Sequence, residues 1–161
     1  MQIYILRHGI AEPGRPGQAD SNRGLTAEGK EKLLRILTCA RKAGVEPDAL
    51  LASPYRRAIE TAELARESLK VSAPIIQTEA LTPMEPAEQV WEQIRLHKDA
   101  KQILLAGHEP QLSSLVCWLI GAPATRIEMK KGALARIDVE SPGPRPAGVL
   151  VWLLTARLAG G

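Results

Sequence analysis

The chain has 161 residues, 45% of them hydrophobic and 24% charged, with a formal net charge of +3 and no phenylalanine. This length and composition predict one soluble globular domain, spanning residues 1–161, with a core filled by aliphatic side chains. The mild positive charge suits an anionic ligand, but no long basic run indicates nucleic acid, and no stretch is long enough to span a membrane.

The predicted elements alternate between short apolar runs, typical of buried strands, and longer amphipathic stretches, typical of helices. In chain order we expect a strand at 2–6, a Pro/Gly-rich loop at about 12–23, a helix at 26–42, a strand at 48–52, a helix at 53–69, a strand at 71–77, a loop at 82–86, a helix to about 97, a strand at 102–106, a helix at 109–120, and strands at 133–139 and 149–154. Thr26 is predicted to cap the first helix, and Ser53 and Pro54 to supply the cap and first residue of the second.

This alternation predicts an α/β fold, a three-layer sandwich with a mostly parallel central sheet. The last two strands lie close together in the chain, joined by a flexible stretch at 141–148, so we expect one of them to run antiparallel. Neither an internal repeat nor an interdomain linker interrupts the pattern.

Three of the predicted strands end in residues suited to binding an anion, at 7–9, 53–57 and 107–110. Because the carboxyl ends of parallel strands lie at one edge of a sheet, we expect these segments to meet there. Arginine matches phosphate oxygens, and helix N-termini after Ser53 and His108 add backbone N–H donors. Gly9 and Gly107 are expected to let a ligand approach the backbone closely.

A neutral imidazole at His8 is a competent nucleophile toward phosphorus. Positive charge on Arg7 and Arg57 should keep that ring unprotonated, and a backbone carbonyl on its other nitrogen would fix the tautomer. Adjacent Arg56 and Arg57 point about 100° apart on a helix, so one of them faces the site, and composition alone does not choose between them.

The other two histidines divide between the site and the surface. His108 either belongs to the site or simply caps the helix that follows it, and its Gly-flanked position at a strand end favours the site. His97 ends a polar helix and is expected at the surface.

Cofactor binding fits the sequence poorly. There is no His-x-x-x-His pair, clustered Cys/His/Asp set, Walker loop or GxGxxG, and arginine beside His8 opposes a cation, so we expect no metal and no cofactor. Cys39 and Cys117 form no ligand pair and are expected to be buried free thiols in a reducing compartment. The apolar run at 2–6 is too short for a signal peptide, so we expect a cytoplasmic protein.

Five separated motifs occur in the order found in the histidine phosphatase, or phosphoglycerate mutase-like, superfamily, and the chain resembles that family: Arg-His-Gly at 7–9, Arg-Gly-Leu-Thr-Ala-Glu-Gly at 23–29, Ser-Pro-Tyr-Arg-Arg-Ala-Ile-Glu-Thr-Ala at 53–62, Leu-Thr-Pro at 81–83 and Gly-His-Glu-Pro at 107–110. The resemblance implies that His8 is the catalytic nucleophile and becomes phosphorylated. It also implies that Arg7, Arg57 and His108 complete the catalytic phosphate pocket. The family's Arg-Ala-x-x-Thr-Ala pattern selects Arg57 over Arg56.

The expected substrate-binding set extends beyond these residues. Arg23 resembles an additional pocket residue, and Gly9 and Glu109 are included because they flank the two site histidines. The loop at 12–23 follows the nucleophile directly, and we expect it to select the substrate.

The short length and the Leu-Thr-Pro segment resemble the SixA branch of the family, which removes phosphate from histidine in phosphorelay proteins. Many other members carry an acid in a larger insertion that protonates an oxygen leaving group. Here the stretch after residue 77 is short, and Glu79, Glu85 and Glu109 match no such pattern. A labile N–P bond needs that acid less, which favours phosphohistidine as the substrate.

The resemblance therefore implies a metal-independent phosphohistidine phosphatase. Its substrate would be a phosphorylated protein, such as a histidine phosphotransfer protein, with no nucleic-acid or membrane partner. Two alternatives stay open: a small-molecule phosphomonoesterase or phosphomutase on the same site, and a non-catalytic phospholigand-binding module. The sequence leaves the oligomeric state open.

Overall fold

The computed structural model describes residues 1–160 and contains one six-stranded sheet with helices on both faces. The elements are β1 (Gln2–Arg7), α1 (Ala27–Lys42), β2 (Ala49–Ala52), α2 (Arg56–Leu69), β3 (Ile75–Gln77), α3 (Ala87–Leu96), β4 (Gln102–Gly107), α4 (Gln111–Leu119), β5 (Leu134–Val139) and β6 (Gly148–Leu154). Short 3₁₀ turns lie at Asp20–Asn22 and Glu79–Leu81.

The strand order is β3-β2-β4-β1-β5-β6. The first four strands of that order are mutually parallel, whereas β5 runs antiparallel to both of its neighbours, β1 and β6. The mostly parallel sheet is therefore confirmed, and β5 is the strand that runs against the others.

Two hydrophobic layers fill the space between the sheet and its helices. Successive side chains of a strand point to opposite faces. In β1, Ile3 and Ile5 pack in the layer that contains α3 and α4, while Tyr4 and Leu6 pack in the layer that contains α1 and α2. This arrangement confirms the predicted three-layer sandwich.

The carboxyl ends of β1, β4 and β2 lie side by side in the middle of the sheet. The ladder continues one residue past each strand, because the His8 N–H donates to the Gly107 carbonyl and the Ser53 N–H donates to the Ala106 carbonyl, both across 3.0 Å. The register pairs Arg7 with Gly107. Strand pairing alone therefore sets the three segments at one level of the sheet.

The first helix begins as predicted. The Thr26 hydroxyl accepts from the N–H of Gly29 at 2.9 Å, and α1 then runs to Lys42, with Gly44 just beyond its end at a φ of 79°. A left-handed residue of this kind commonly ends a helix, and glycine adopts it without a Cβ clash.

The start of the second helix differs from the prediction. α2 begins at Arg56, and neither Ser53 nor Pro54 acts as its cap or first residue. The Ser53 hydroxyl is already engaged, because it accepts from the N–H of Tyr55 at 3.3 Å and lies 2.8 Å from Nε2 of His108. The chain makes a turn on that hydroxyl before the helix starts.

Two other features bear on expectations from the sequence. Both cysteines are free thiols, but only Cys117 is buried; Cys39 is half-buried, so the prediction of two buried thiols was wrong for that residue. Among residues 1–160, none of the helices is both long enough and apolar enough to cross a bilayer.

Gly29 is expected to be essential for the packing of α1. A Cβ built on Gly29 would lie 2.4 Å from the Ile10 carbonyl oxygen and 2.8 Å from the Ile10 nitrogen, and this backbone cannot easily give way. Gly29→Ala should lower the free energy of unfolding by about 2–4 kcal/mol, whereas helix propensity alone predicts a gain of up to about 1 kcal/mol. Urea denaturation followed by circular dichroism measures the difference.

The matched control is Gly14→Ala, because a Cβ there would meet its nearest neighbour, Cδ of Arg23, at an ordinary 3.7 Å. That variant should stay within about 0.5 kcal/mol of the wild type. A Gly29→Ala protein as stable as the wild type would contradict the packing argument.

Candidate active site

His8 lies at the end of β1 with 7% of its surface exposed. Its Nδ1 is 2.7 Å from the Gly9 carbonyl oxygen. A carbonyl only accepts, so Nδ1 carries the proton and Nε2 keeps its lone pair. The predicted tautomer-fixing bond to a backbone carbonyl is therefore present.

Arg57 faces this lone pair from the first turn of α2. Its Nε–H donates to Nε2 of His8 at 3.3 Å, and the whole residue is 4% exposed. Arg56 points away, with a side chain 62% exposed and paired with Glu60 at 2.8 Å. The structure thus brings Arg57, and not Arg56, to His8.

Arg7 lies on the other side of the β1 terminus. Its Nη1 donates to the Met129 carbonyl at 2.6 Å, which ties the guanidinium to the segment before β5. Within residues 1–160 its buried Nε has no hydrogen-bond partner. Burial lowers the pKa of Arg7, while the nearby carboxylates of Glu109 and Glu128 raise it. Arg7 therefore brings positive charge and a free donor to the same edge.

His108 follows β4 and is 1% exposed, with its ring centroid 5.1 Å from that of His8. Its Nε2 is 2.8 Å from the Ser53 hydroxyl, which already accepts from the Tyr55 N–H. The arrangement that uses the Ser53 hydroxyl both as donor and as acceptor has Ser53 donating its proton to Nε2. The ring proton of His108 is then on Nδ1, which is buried and has no partner in the described part of the chain.

Both ring pKa values are strongly depressed. The pKa of His8 is lowered to about 4, and burial is the main cause. The hydrogen bond to the Gly9 carbonyl raises this pKa, while the positive charges of Arg57, Arg7 and Lys131 lower it. Burial likewise lowers the pKa of His108 to about 3, followed by the effects of His8 and Arg57. We expected the arginines to keep His8 neutral. They contribute, but removal of the ring from solvent is the larger cause of its low pKa.

Two expected substrate-binding residues, Arg23 and Glu109, make contacts that the sequence did not predict. Arg23 does not touch His8; it binds the Asp20 carboxylate at 2.7–2.8 Å and the Glu12 carbonyl at 2.8 Å. Glu109 accepts from the Ser113 N–H at 2.8 Å and so caps the first turn of α4. These contacts place both residues around the pocket rather than against the nucleophile.

Gly9 is closely packed against α1. A Cβ there would lie 2.6 Å from Cδ1 of Leu33 and 3.1 Å from the Gly29 carbonyl, so the missing side chain faces α1. Gly107 is similar, because its missing Cβ faces Leu112 on α4. Close packing against the helices is the constraint that the structure shows at both residues.

Sequence reasoning missed two residues that touch the site. Asp20 binds Arg57 through both its carbonyl and its carboxylate, at 2.9 Å each. Tyr55 packs edge-on against the His108 ring at 4.9 Å and under the Arg57 guanidinium at 5.1 Å. Asp20 lies three residues before Arg23 in the loop already singled out, and that spacing was the available signal.

Metal ligation is not supported by this set of residues. Across residues 1–160, no group of three or more His, Cys, Asp or Glu side chains is arranged to hold an ion. The site instead combines two guanidinium groups with two neutral imidazoles at the carboxyl edge of a parallel sheet. Such an arrangement can bind a phosphoryl dianion and present a nitrogen lone pair to it.

The protonation of His8 can be followed directly by ¹⁵N NMR of its ring. In the folded protein Nε2 should stay unprotonated through pH 5, with a midpoint at about 4, against about 6.5 for the same ring in 8 M urea. Because the folded pKa is below the unfolded one, the unfolded chain binds more protons in that window, and stability should fall as the pH drops from 6.5 toward 4. A folded-state midpoint near 6.5 would refute the burial argument.

Comparison with known proteins adds a sequence match to this geometry. A sequence model of the Histidine phosphatase superfamily (branch 1) matches residues 3–86, over half of the chain. An uncharacterized protein of Picosynechococcus sp. is 32% identical over 114 residues, which cover 70% of this chain and 68% of that protein.

The fold is similar to that of several solved phosphatases. The protein histidine phosphatase SixA complexed with tungstate gives a TM-score of 0.88 at 24% identity, covering 98% of each chain. The alpha-ribazole phosphatase of Shigella flexneri gives 0.72 at 21% identity over 97% of each chain. A phosphoserine phosphatase of Entamoeba histolytica with bound 3-phosphoglyceric acid gives 0.70 at 12% identity over 98% of each chain. The phosphoglycerate mutase-like fold and the family match agree: this chain belongs to the histidine phosphatase superfamily.

Proposed function

We propose that this protein is a metal-independent phosphohistidine phosphatase that hydrolyses the phosphoryl group of a protein histidine through a covalent intermediate on His8. The observation that carries the proposal is the His8 ring itself. Its proton is fixed on Nδ1 by the Gly9 carbonyl, its pKa is depressed to about 4, and its Nε2 lone pair faces Arg57. A nucleophile held in this way is available at neutral pH without a separate base.

In the proposed mechanism the phosphoryl group docks among Arg7, Arg57 and His108. The Arg57 donors and the Nδ1–H of His108 bind its equatorial oxygens, and the free Nε donor of Arg7 adds charge. These groups stabilise negative charge in the transition state, which is where most of the catalysis of phosphoryl transfer arises.

The chemistry takes two displacements. The Nε2 lone pair of His8 forms a bond to phosphorus while the P–N bond to the substrate imidazole breaks, and that imidazole leaves with the electron pair and takes a proton from water. A water molecule then attacks phosphorus, the P–Nε2 bond breaks with its electron pair returning to His8, and inorganic phosphate leaves. The proton that the attacking water releases neutralises the hydroxide formed in the first step. His8 returns to its starting state.

The lack of a placed acid favours phosphohistidine as the substrate. Within residues 1–160, Asp20 is the one carboxylate hydrogen-bonded to Arg7, His8, Arg57 or His108, and it is held by Arg57. Glu79 is exposed, and Glu85 contacts Gln111 through its backbone carbonyl. An imidazole leaving group needs less protonation than an alkoxide, so a site without a dedicated acid suits it better.

The similarity of the fold to solved phosphatases supports a phosphorylated protein as the substrate and a small phosphate ester as the second candidate. SixA is described as a protein histidine phosphatase, and its fold is similar over nearly the whole chain. By that comparison the substrate would be a phosphorylated protein, such as a histidine phosphotransfer protein. The similar folds of an alpha-ribazole phosphatase and a phosphoserine phosphatase favour, as a second candidate, the hydrolysis of a small phosphate ester on the same site.

Phosphate release tests the proposal. A phosphohistidine-bearing phosphotransfer protein and a generic aryl phosphate are offered in parallel, with a chelator present. Wild type should release phosphate from the phosphoprotein, and His8→Ala should lose at least about a thousandfold because the nucleophile is gone. His97→Ala is the matched control, since His97 is at the end of α3 away from the site residues, and it should keep wild-type activity.

The comparison of the two substrates distinguishes the proposed function from its alternatives. Release from the aryl phosphate alone would move the function to small phosphate esters and keep the nucleophile. Release that survives in His8→Ala would overturn the nucleophile assignment. Binding of either phosphorylated compound without release would point to a phospholigand-binding module.

A further inference from the structure

The backbone carbonyl and the carboxylate of Asp20 both bind the guanidinium group of Arg57. The Arg57 Nη1 donates to the Asp20 carbonyl and Nη2 to its Oδ2, each at 2.9 Å. The Arg57 side chain is 5% exposed, whereas that of Asp20 is 58% exposed. The carboxylate thus lies between solvent and a buried guanidinium.

Three of the five N–H donors of Arg57 are therefore engaged, the Nε donor with His8 and one donor of each Nη atom with Asp20. The two Nη donors that Asp20 holds form one planar fork of the kind that matches an oxyanion, so a phosphoryl group that uses this fork needs the same two donors. Two anions in contact there would repel each other, so a docking phosphoryl group and the Asp20 carboxylate compete.

Arg23 provides a second position for this carboxylate. Its Nε and Nη2 hold Oδ1 of Asp20 at 2.8 and 2.7 Å, and its Nη1 is anchored on the Glu12 carbonyl. The Oδ2 atom can leave Arg57 while Oδ1 stays on Arg23, and the exposure of Asp20 leaves room for that rotation. Although partial burial raises the pKa of Asp20, its hydrogen bonds to Arg23 and Arg57 lower it overall, so the carboxylate is charged at neutral pH.

We propose that Asp20 is a specificity-determining residue whose Oδ2 occupies the phosphate position on Arg57, and that a phosphoryl dianion displaces Oδ2 from Arg57 while Oδ1 stays on Arg23. The inference rests on the proposed function, because it takes the pocket to be a phosphate site. A dianion contacts Arg7, Arg57 and His108 together, and the free energy of these contacts offsets the cost of displacing Asp20. A carboxylate or chloride makes weaker contacts and does not displace it. The residue thereby restricts the pocket to phosphoryl groups.

A rival reading has Asp20 stay in place and orient Arg57 during binding. The two hypotheses predict opposite changes in anion affinity when the charge of Asp20 is removed. If Asp20 competes with phosphate, removing its charge strengthens anion binding; if it orients Arg57, removing its charge weakens anion binding. Asp20→Asn is a clean probe, because the backbone carbonyl that anchors Nη1 of Arg57 is kept.

Isothermal titration with inorganic phosphate at pH 7.5 tests the proposal on wild type, Asp20→Asn and Asp20→Glu. Neutralising the carboxylate should tighten phosphate binding roughly tenfold, a value typical of one charge-assisted contact to a buried guanidinium. Asp20→Glu keeps the charge and should stay near wild type. In turnover assays the gain should appear as a lower KM rather than as a higher kcat, because the displacement precedes the chemical step.

The matched control is Glu12→Gln, which removes a carboxylate from the same loop; Glu12 is exposed, and the loop contact it makes uses its backbone carbonyl. This variant should bind phosphate within about twofold of wild type, because charges at that exposure are largely screened. Equal tightening in both variants would mean a general charge effect and would overturn the proposal.

The remaining outcomes are also decisive. Unchanged or weaker phosphate binding in Asp20→Asn would reject competition, while phosphate binding by the wild type would leave the proposed function standing. No phosphate binding by any of the proteins would reject the pocket as a phosphate site, and the proposed function and this inference would fall together.

Discussion

The Nδ1–H of His8 donates to the carbonyl of Gly9 across 2.7 Å, and this bond decides which ring nitrogen faces Arg57. Its geometry depends on the backbone at Gly9, which packs against Leu33 of α1 and whose N–H donates to the Thr61 hydroxyl at 3.3 Å. Thr61 in turn donates to the carbonyl of Arg57 at 2.7 Å. One chain of contacts therefore joins the tautomer of the ring, the packing of α1 and the start of α2.

Burial supplies the second half of the same constraint. Taking an imidazole out of water disfavours its charged form, so a buried ring between two arginines is neutral by default. A buried guanidinium, by contrast, cannot lose its charge and needs a partner. Arg57 has the exposed carboxylate of Asp20 as that partner. The charge of the buried guanidinium is therefore balanced by a side chain that solvent reaches.

The strand ends illustrate how far the sequence could predict this site. Short apolar runs followed by Arg7-His8 and Gly107-His108 predicted that these residues lie at the carboxyl edge of a parallel sheet. The prediction was possible because the spacing of apolar residues along the sequence indicates which segments are buried strands. The capping of α1 by Thr26 and the reversal of one late strand were predictable for the same reason, since both depend on local signals.

The features that escaped prediction all depend on contacts across the fold. Ser53 looks like a helix cap in the sequence, yet its hydroxyl is used by a histidine from a neighbouring strand. Gly9 also packs against Leu33 of α1, a contact between distant parts of the chain that the sequence does not reveal. Asp20 gives no periodic signal at all, because it lies on a loop and its partner, Arg57, is 37 residues away. Local pattern identifies the positions but not which side chains meet there.

Trapping the covalent intermediate would show whether Nε2 of His8 attacks phosphorus, as the proposed mechanism requires. Wild-type protein is mixed with a phosphohistidine-bearing phosphotransfer protein, quenched in alkali within milliseconds to seconds, and digested for mass spectrometry. We expect an acid-labile phosphoryl group on the peptide that carries His8, and it should form and decay fast enough to lie on the path to free phosphate. Turnover with no label on His8, or with the label on His108, would contradict it.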